Sequence, residues 1–427
     1  MQLFKKIEYK SSLIFRIGIF LLVSAPSIAS LFFLLSIILI IFQDPKGVLQ
    51  NKWNYPFYLC SFILLISVLF NKNSIQGWDN SLNWIGLSNW IPYFICFFSF
   101  QSYTKSYEAR KTIIYSFLLG SVPLLFSAFG QYFFNWTGPI SVLNNLIIWF
   151  QRPIANDHGL TGLFNNANYA GSWFLIIWPM ALVFLNQTKI NFYKKNLILV
   201  FTIFILISIF LTRSRNAWIG SILSLPFLSN FYLLTFLVLV IFFFLLISLF
   251  LIQPVLLLQF PFISKIIFPN FIRKEFLTLG FENIYQFTRV KIWIEALNFI
   301  IEKPLLGWGA ASFPILFNLN NKNLSYSHSH NLFLELAISY GLPVSLIFLL
   351  FVVIILYKSF LKIYNFKKYG NQCPFDKAWW TATFTLFLSQ LVDIQYFDFR
   401  IGLTFWIFLA GLVSINKNKS INQLNNF

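Results

Sequence analysis

Residues 31–42 read LFFLLSIILIIF, a run without one charged side chain. Runs of this kind return along the whole chain, and they narrow the possible folds more than any other feature. A helix needs about 20 apolar residues to cross the hydrocarbon of a bilayer. Twelve segments are candidate spans: roughly 12–27, 29–42, 54–70, 85–102, 113–131, 167–187, 196–212, 216–228, 231–252, 330–356, 378–393 and 400–415. The segment 85–102 is interrupted by Pro92, and 216–228 is short. Charged residues make up only 10% of the chain and hydrophobic ones 58%, with a mean hydropathy of +0.72. So few charges cannot clothe a water-soluble surface of this size, so lipid must solvate much of the chain. The expected fold class is all-α, a polytopic transmembrane bundle of about 12 helices.

The net charge is +18, which in a soluble chain would point to nucleic acid. In a membrane chain it points instead to loops on the cytoplasmic side, where Lys and Arg collect. With the N-terminus inside, 18 of the 31 basic residues fall in inside loops, among them Lys46, Lys52, Arg110, Lys194, Lys358 and Lys377. Short outside loops hold only Lys72, Arg152, Arg213, Arg215 and Arg400. This sorting predicts a bacterial inner-membrane protein with both termini in the cytoplasm. No cleavable signal is evident, because Ser30 is followed at once by a second apolar run, so the N-terminus reads as a retained helical hairpin. Cys60, Cys96 and Cys373 have neither disulfide nor zinc spacing.

Two segments on the predicted outer side are too long for turns, 132–166 and 253–329. Long loops in compact proteins are functional or disordered. The second is rich in apolar residues, so it is expected to fold, with helices, over the outer face and to cap a cavity. The chain divides on this basis into N-terminal spans (1–157), a central region with the long loop (158–345), and C-terminal spans with a tail (346–427).

Three places combine charge with membrane proximity, where charge is costly and tends to be functional. The first is Thr212-Arg213-Ser214-Arg215-Asn216-Ala217-Trp218, whose arginines break the charge bias. Guanidinium forks suit phosphate; the plainer alternative is an interfacial snorkelling pair. The second is TRVKIWIEAL followed by PLLGWGAASF. Its Arg289 and Trp293 stand four apart, on one helix face; the plainer alternative is an amphipathic interfacial helix. The third is HSHNLFLELAISYGLP, with His328 and His330 where a loop enters a helix. Ser329 or Asn331 can cap that helix. Histidine near a membrane surface can stay neutral at pH 7 and accept a proton. His-x-His also suggests metal, but nothing in the sequence completes a ligand set, so no metal is expected. His158, in NDHG, reads as a turn residue. Asp393 and the Asp398–Arg400 pair mark a tight turn before the last span, an ion pair worth little if exposed.

Taken together, the three motifs resemble those of the O-antigen ligase and polymerase superfamily (the Wzy C-terminal domain family). In its His motif, His-Asn is separated by nine residues from a Gly; here these are His330-Asn331 and Gly341, and three after the Gly, Val344 departs from the small residue, Thr or Tyr usual there. GLFNNANYAGSWFLIIWPM matches the segment that precedes the family's domain, and the motifs cover roughly residues 158–345. NWIGLSNWIPYFICFFSFQSY and QLVDIQYFDFRIGL also resemble the cyanobacterial subgroup described as bicarbonate transporters (IctB). The superfamily resemblance implies a GT-C-type membrane fold with a helical periplasmic loop. It also implies metal-independent transfer of a glycan from an undecaprenyl-diphosphate donor to a glycan or lipid acceptor. By motif match Arg215 and Arg289 would hold the diphosphate and His330 would be the base, with Arg213 and His328 as second choices. No cofactor is implied. The subgroup resemblance leaves an alternative: an inorganic carbon (bicarbonate) transporter or accessory factor. Against transport, the candidate spans show no internal repeat and almost no charge.

Overall fold

The computed structural model describes residues 2–71, 75, 78–154, 159–185, 187, 191–228, 288–321, 326–364 and 373–417. The expected span 231–252 and the turn residue His158 lie outside them, as does most of the first half of the long loop.

Helices dominate. In chain order they are α1 (Gln2–Leu21), α2 (Pro26–Gln43), α3 (Pro45–Leu49), α4 (Tyr55–Phe70), α5 (Ser81–Leu87), α6 (Ile91–Phe100), α7 (Tyr107–Gly120) and α8 (Val122–Phe134). Then come α9 (Ala167–Leu185), α10 (Phe192–Leu211), α11 (Arg215–Leu228), α12 (Thr288–Glu302), α13 (Phe313–Asn320), α14 (Leu332–Tyr340), α15 (Leu342–Ile363), α16 (Pro374–Gln390) and α17 (Phe399–Lys417). One antiparallel hairpin, β1 (Ile140–Val142) and β2 (Ile147–Trp149), interrupts the helical pattern. Among the described residues, seven stretches are long and apolar enough to cross a membrane by length and composition. The chain is a membrane-embedded, all-α polytopic protein.

Proline positions many of the helix starts. Pro26, Pro45, Pro56, Pro92, Pro123, Pro343 and Pro374 sit in first turns, where a missing N–H costs nothing and φ is preset. Three expected spans are broken at such points. The segment 85–102 becomes α5 and α6, and 113–131 bends at Ser121 between α7 and α8. The segment 330–356 is cut at Gly341, whose φ of +94° leaves the helical region. A Cβ there would also lie 2.1 Å from the Leu305 carbonyl oxygen, so only glycine allows this approach.

α9 and α17 are buried almost all round and form the centre; α2 and α10 keep apolar faces outward, as lipid-facing helices do. α9 packs against α10, α11 and α16. Aromatic rings fill the space between helices: Phe57, Phe97, Phe351 and Trp406 interlock edge to face at 4.6–5.7 Å. Helices in lipid gain little from hydrophobic exclusion, so this close packing carries much of their association.

The two ends of the bundle differ. At one, Arg110 makes a buried two-point ion pair with Asp376 (2.7 Å at both contacts), and Gln101 bridges Asn54, Asn51 and Lys417. Lys46, Lys52, Lys105, Lys111, Lys194, Lys358 and Lys377 belong to this end. At the other end α12 and α13 fold over the bundle and build a second apolar cluster with Ile75, Trp78 and Ile338. This lid is bolted down by Ser67 Oγ and Asn71 Nδ2, which donate to the Leu306 carbonyl (2.6 and 2.9 Å), and by Trp78 Nε1, which donates to Ala310 (3.0 Å). The described part of the long loop is therefore folded and helical, as its apolar content led us to expect.

Candidate active site

The site lies under the edge of this lid, where five segments meet. Asn331 builds the first part. Its Oδ1 accepts from the N–H groups of Phe333 and Leu334 (3.0 and 3.1 Å), which caps α14, and its Nδ2 donates to the Leu391 carbonyl (2.9 Å). One side chain thus starts the helix and ties it to the turn between α16 and α17. Of the two capping candidates, Asn331 takes the role; the Ser329 N–H is instead held by Glu335 Oε2 at 2.8 Å. His330, just before the cap, adopts a left-handed φ of +55°. Its Nδ1 meets Asp393 Oδ1 at 2.8 Å.

Asp393 comes from the braced turn after α16. Gln390 Oε1 accepts from the N–H groups of Gln395 and Tyr396 (3.2 and 3.1 Å), and Ser389 Oγ donates to Gln395 Oε1 at 2.9 Å. Asp393 Oδ1 also accepts from the Ile394 N–H at 3.1 Å, and Oδ2 accepts from Asn168 Nδ2 of α9 at 3.0 Å. Burial alone would raise this carboxyl, but the hydrogen bond and charge of His330, with Arg289 behind them, outweigh it and hold Asp393 below its ordinary value.

Arg289, in the first turn of α12, donates from Nη1 to the Val392 carbonyl next to Asp393. Burial lowers its pKa most; Asp393 opposes that shift and Arg215 adds to it, so the two arginines feel one another. Arg215 opens α11 and is exposed; Arg213 precedes it at a left-handed φ of +57°. The start of α11 is fastened to the same turn by Asn216 Nδ2, which donates to Ser389 Oγ at 2.6 Å. His328 accepts the His330 N–H on its Nδ1 at 3.2 Å. Burial, then the charges of His330 and Arg289, push its imidazole down to about 4, so it is neutral at pH 7.

The structure therefore brings Arg289, His328 and His330 together around Asp393, with Arg215 within electrostatic range of Arg289. Trp293 departs from its helix neighbour Arg289 and packs on the lid's apolar cluster. Two members escaped the sequence reading. In the sequence Asp393 stands out only as a charge beside a turn, and Asn168 only as one letter of the segment GLFNNANYAGSWFLIIWPM. The one available signal was scarcity: with 13 acidic residues in the whole chain, a carboxylate at a helix end is a conspicuous choice.

His328, His330 and Asp393 offer ligand atoms within 4.8 Å of one another. Yet both Nδ1 atoms already make hydrogen bonds, and Arg289 adds a positive charge beside them. The set is better matched to moving a proton than to holding a cation. The Asp398–Arg400 pair, worth little if exposed, is in fact nearly buried. It is a two-point bridge (2.9 and 2.6 Å) with both side chains 10% exposed, and the guanidinium lies 3.6 Å over the Phe164 ring.

No curated protein matches the chain. Residues 200–369 match the family model of O-antigen ligase. That segment contains Arg213, Arg215, Arg289, His328 and His330, and leaves Asn168 and Asp393 outside on either side. The match names no subgroup. Over this segment, 170 of its 427 residues, the chain is similar to the O-antigen ligase family.

Proposed function

We propose that the chain transfers a glycan from an undecaprenyl-diphosphate carrier to a hydroxyl of a glycan or lipid acceptor, at the outer face of a bacterial inner membrane. The observation that carries this reading is the 2.8 Å contact of His330 Nδ1 with Asp393, made beside Arg289. With Nδ1–H directed at a carboxylate, the lone pair is left on Nε2, where it can take a proton. The acceptor O–H bond breaks as its proton passes to Nε2. The oxygen forms a bond to the anomeric carbon, and the bond from that carbon to the diphosphate breaks. The electron pair leaves with the diphosphate, which gains one negative charge. Arg215 and Arg289 are placed to meet that charge, and fixed cations stabilise it without reorganising. Asp393 stabilises the imidazolium as it forms. Arg213 and His328 remain second choices for these roles.

The test is transfer in vitro from a lipid-linked donor. His330→Ala should slow transfer by roughly 10²–10⁴-fold. Arg215→Ala and Arg289→Ala should each cost about 10²–10³-fold, all three with normal expression. Full transfer by the three variants would overturn the reading. Uptake of labelled bicarbonate by the purified chain in liposomes, without glycan transfer, would establish the transporter alternative instead.

A further inference from the structure

The hairpin β1–β2 has no part in this chemistry, yet its composition is unusual for a loop. From Phe133 to Gln151 there is no ionisable side chain. Its two sides differ. Ile147 is buried, and Trp149 packs on the main core with its Nε1 donating to the Ser24 carbonyl at 2.7 Å. The opposite side and the tip are bare: Leu143 is 62% exposed, Leu146 47%, Ile148 39% and Phe150 49%. The segment leading into the hairpin joins a lipid-type face of α8: Trp136, 39% exposed, meets the rings of Phe126 and Phe134 (5.5 and 6.1 Å), which with Phe133 are exposed on a stretch long and apolar enough to cross a membrane.

We propose that residues 136–150 lie in the interfacial zone of the bilayer leaflet at the site end, with the outward side and tip of the hairpin covered by lipid. In water a patch of this size would invite aggregation. The occupant follows from continuity, because through Trp136 the segment carries on the exposed aromatic face that α8 gives to lipid. Depth follows from the backbone. A two-stranded sheet has unpaired N–H and C=O groups along both edges, which hydrocarbon cannot satisfy. Ser141, Asn144 and Asn145 add polar groups on the strand and at the tip. Aromatic and aliphatic side chains beside such groups favour the headgroup boundary, where water still reaches.

The hairpin is also held rigidly. The Gly138 N–H donates to the Gln151 carbonyl at 2.8 Å, and Gln151 Nε2 donates to the Ser127 carbonyl at 3.0 Å. It leads directly into Arg152, whose N–H is taken by Thr161 Oγ1 at 3.1 Å. Leu160 in turn donates to the Leu211 carbonyl at 3.0 Å, beside Arg213. Through Arg152, Thr161 and Leu160 the hairpin is thus tied to the end of α10, two residues before Arg213. A bearing on the use of a lipid-linked donor rests on the function proposed above; the membrane contact does not.

The test reads depth, not transfer. Cys60, Cys96 and Cys373 are replaced, single cysteines are placed at Leu143, Leu146 and Ile148, and each is spin-labelled in nanodiscs. The expected result is strong relaxation by oxygen and weak relaxation by a water-soluble nickel chelate at all three positions. Strong relaxation by the nickel chelate at these positions would overturn the proposal. So would spin–spin broadening between chains, which would assign the surface to a second copy. Because the labels report whether or not glycan moves, failure here and failure of the proposed reaction are read separately.

Discussion

His330 gives one ring nitrogen to Asp393, so the carboxylate is where the proposed base is most easily tested. Asp393→Asn keeps size and most hydrogen bonds but removes the charge that stabilises the imidazolium. It should slow transfer by roughly 10²–10⁴-fold, near the effect of losing the base, with an unchanged melting temperature. A parental single-turnover rate would reduce Asp393 to a brace. His328 makes a separate prediction. Its folded value, about 4, lies below the ordinary 6.5, so between these the unfolded chain binds more protons than the folded one. Stability from this residue is complete above pH 6.5 and drains away as pH falls towards 4. His328→Gln should flatten that part of the melting-temperature profile of the detergent-solubilised chain, while an unaltered slope would place the acid sensitivity elsewhere.

At the scale of elements, the turn between α16 and α17 organises the site. Asp398 caps α17 through the Arg400 N–H (3.0 Å) and bridges its guanidinium, which also donates to the Leu163 carbonyl (3.2 Å). Arg400→Met would strand a nearly buried carboxylate and should destabilise the fold by about 3–5 kcal/mol. Asp398→Asn with Arg400→Met should cost much less, as judged by thermal unfolding of the pair against each single change. The sequence reading missed this because an Asp-x-Arg spacing looks the same exposed or buried; only Phe164, more than 200 positions away, makes it a closed contact. Apolar runs did reveal the helices, and the ordered Arg, Arg and His motifs marked the segment that matches the family. Their partners stayed hidden for one physical reason. Asn168 meets Asp393 across 225 positions and Asp393 meets His330 across 63, through tertiary packing, and no local pattern encodes such pairings. The kink at Gly341 was half visible in Gly-Leu-Pro, but its cause, the close approach of the Leu305 backbone, was not.

At the scale of the whole molecule, the seven lysines named above and the candidate site occupy opposite ends of one bundle. We take the lysine end as cytoplasmic and the site end as external, in line with the usual bias of basic loops. A membrane-impermeant maleimide should then label Ser327→Cys in intact cells and Lys194→Cys only after the inner side is opened, both positions being exposed. The reverse pattern would invert the molecule and move the proposed reaction to the cytoplasm. The site also straddles the limits of the matched segment: its histidine comes from within 200–369, its carboxylate from Asp393 beyond. That segment is consequently no interchangeable cassette. Grafted into the helices of an O-antigen ligase, it would carry the proposed base without its counter-ion and depend on the host to supply an acid at the right turn.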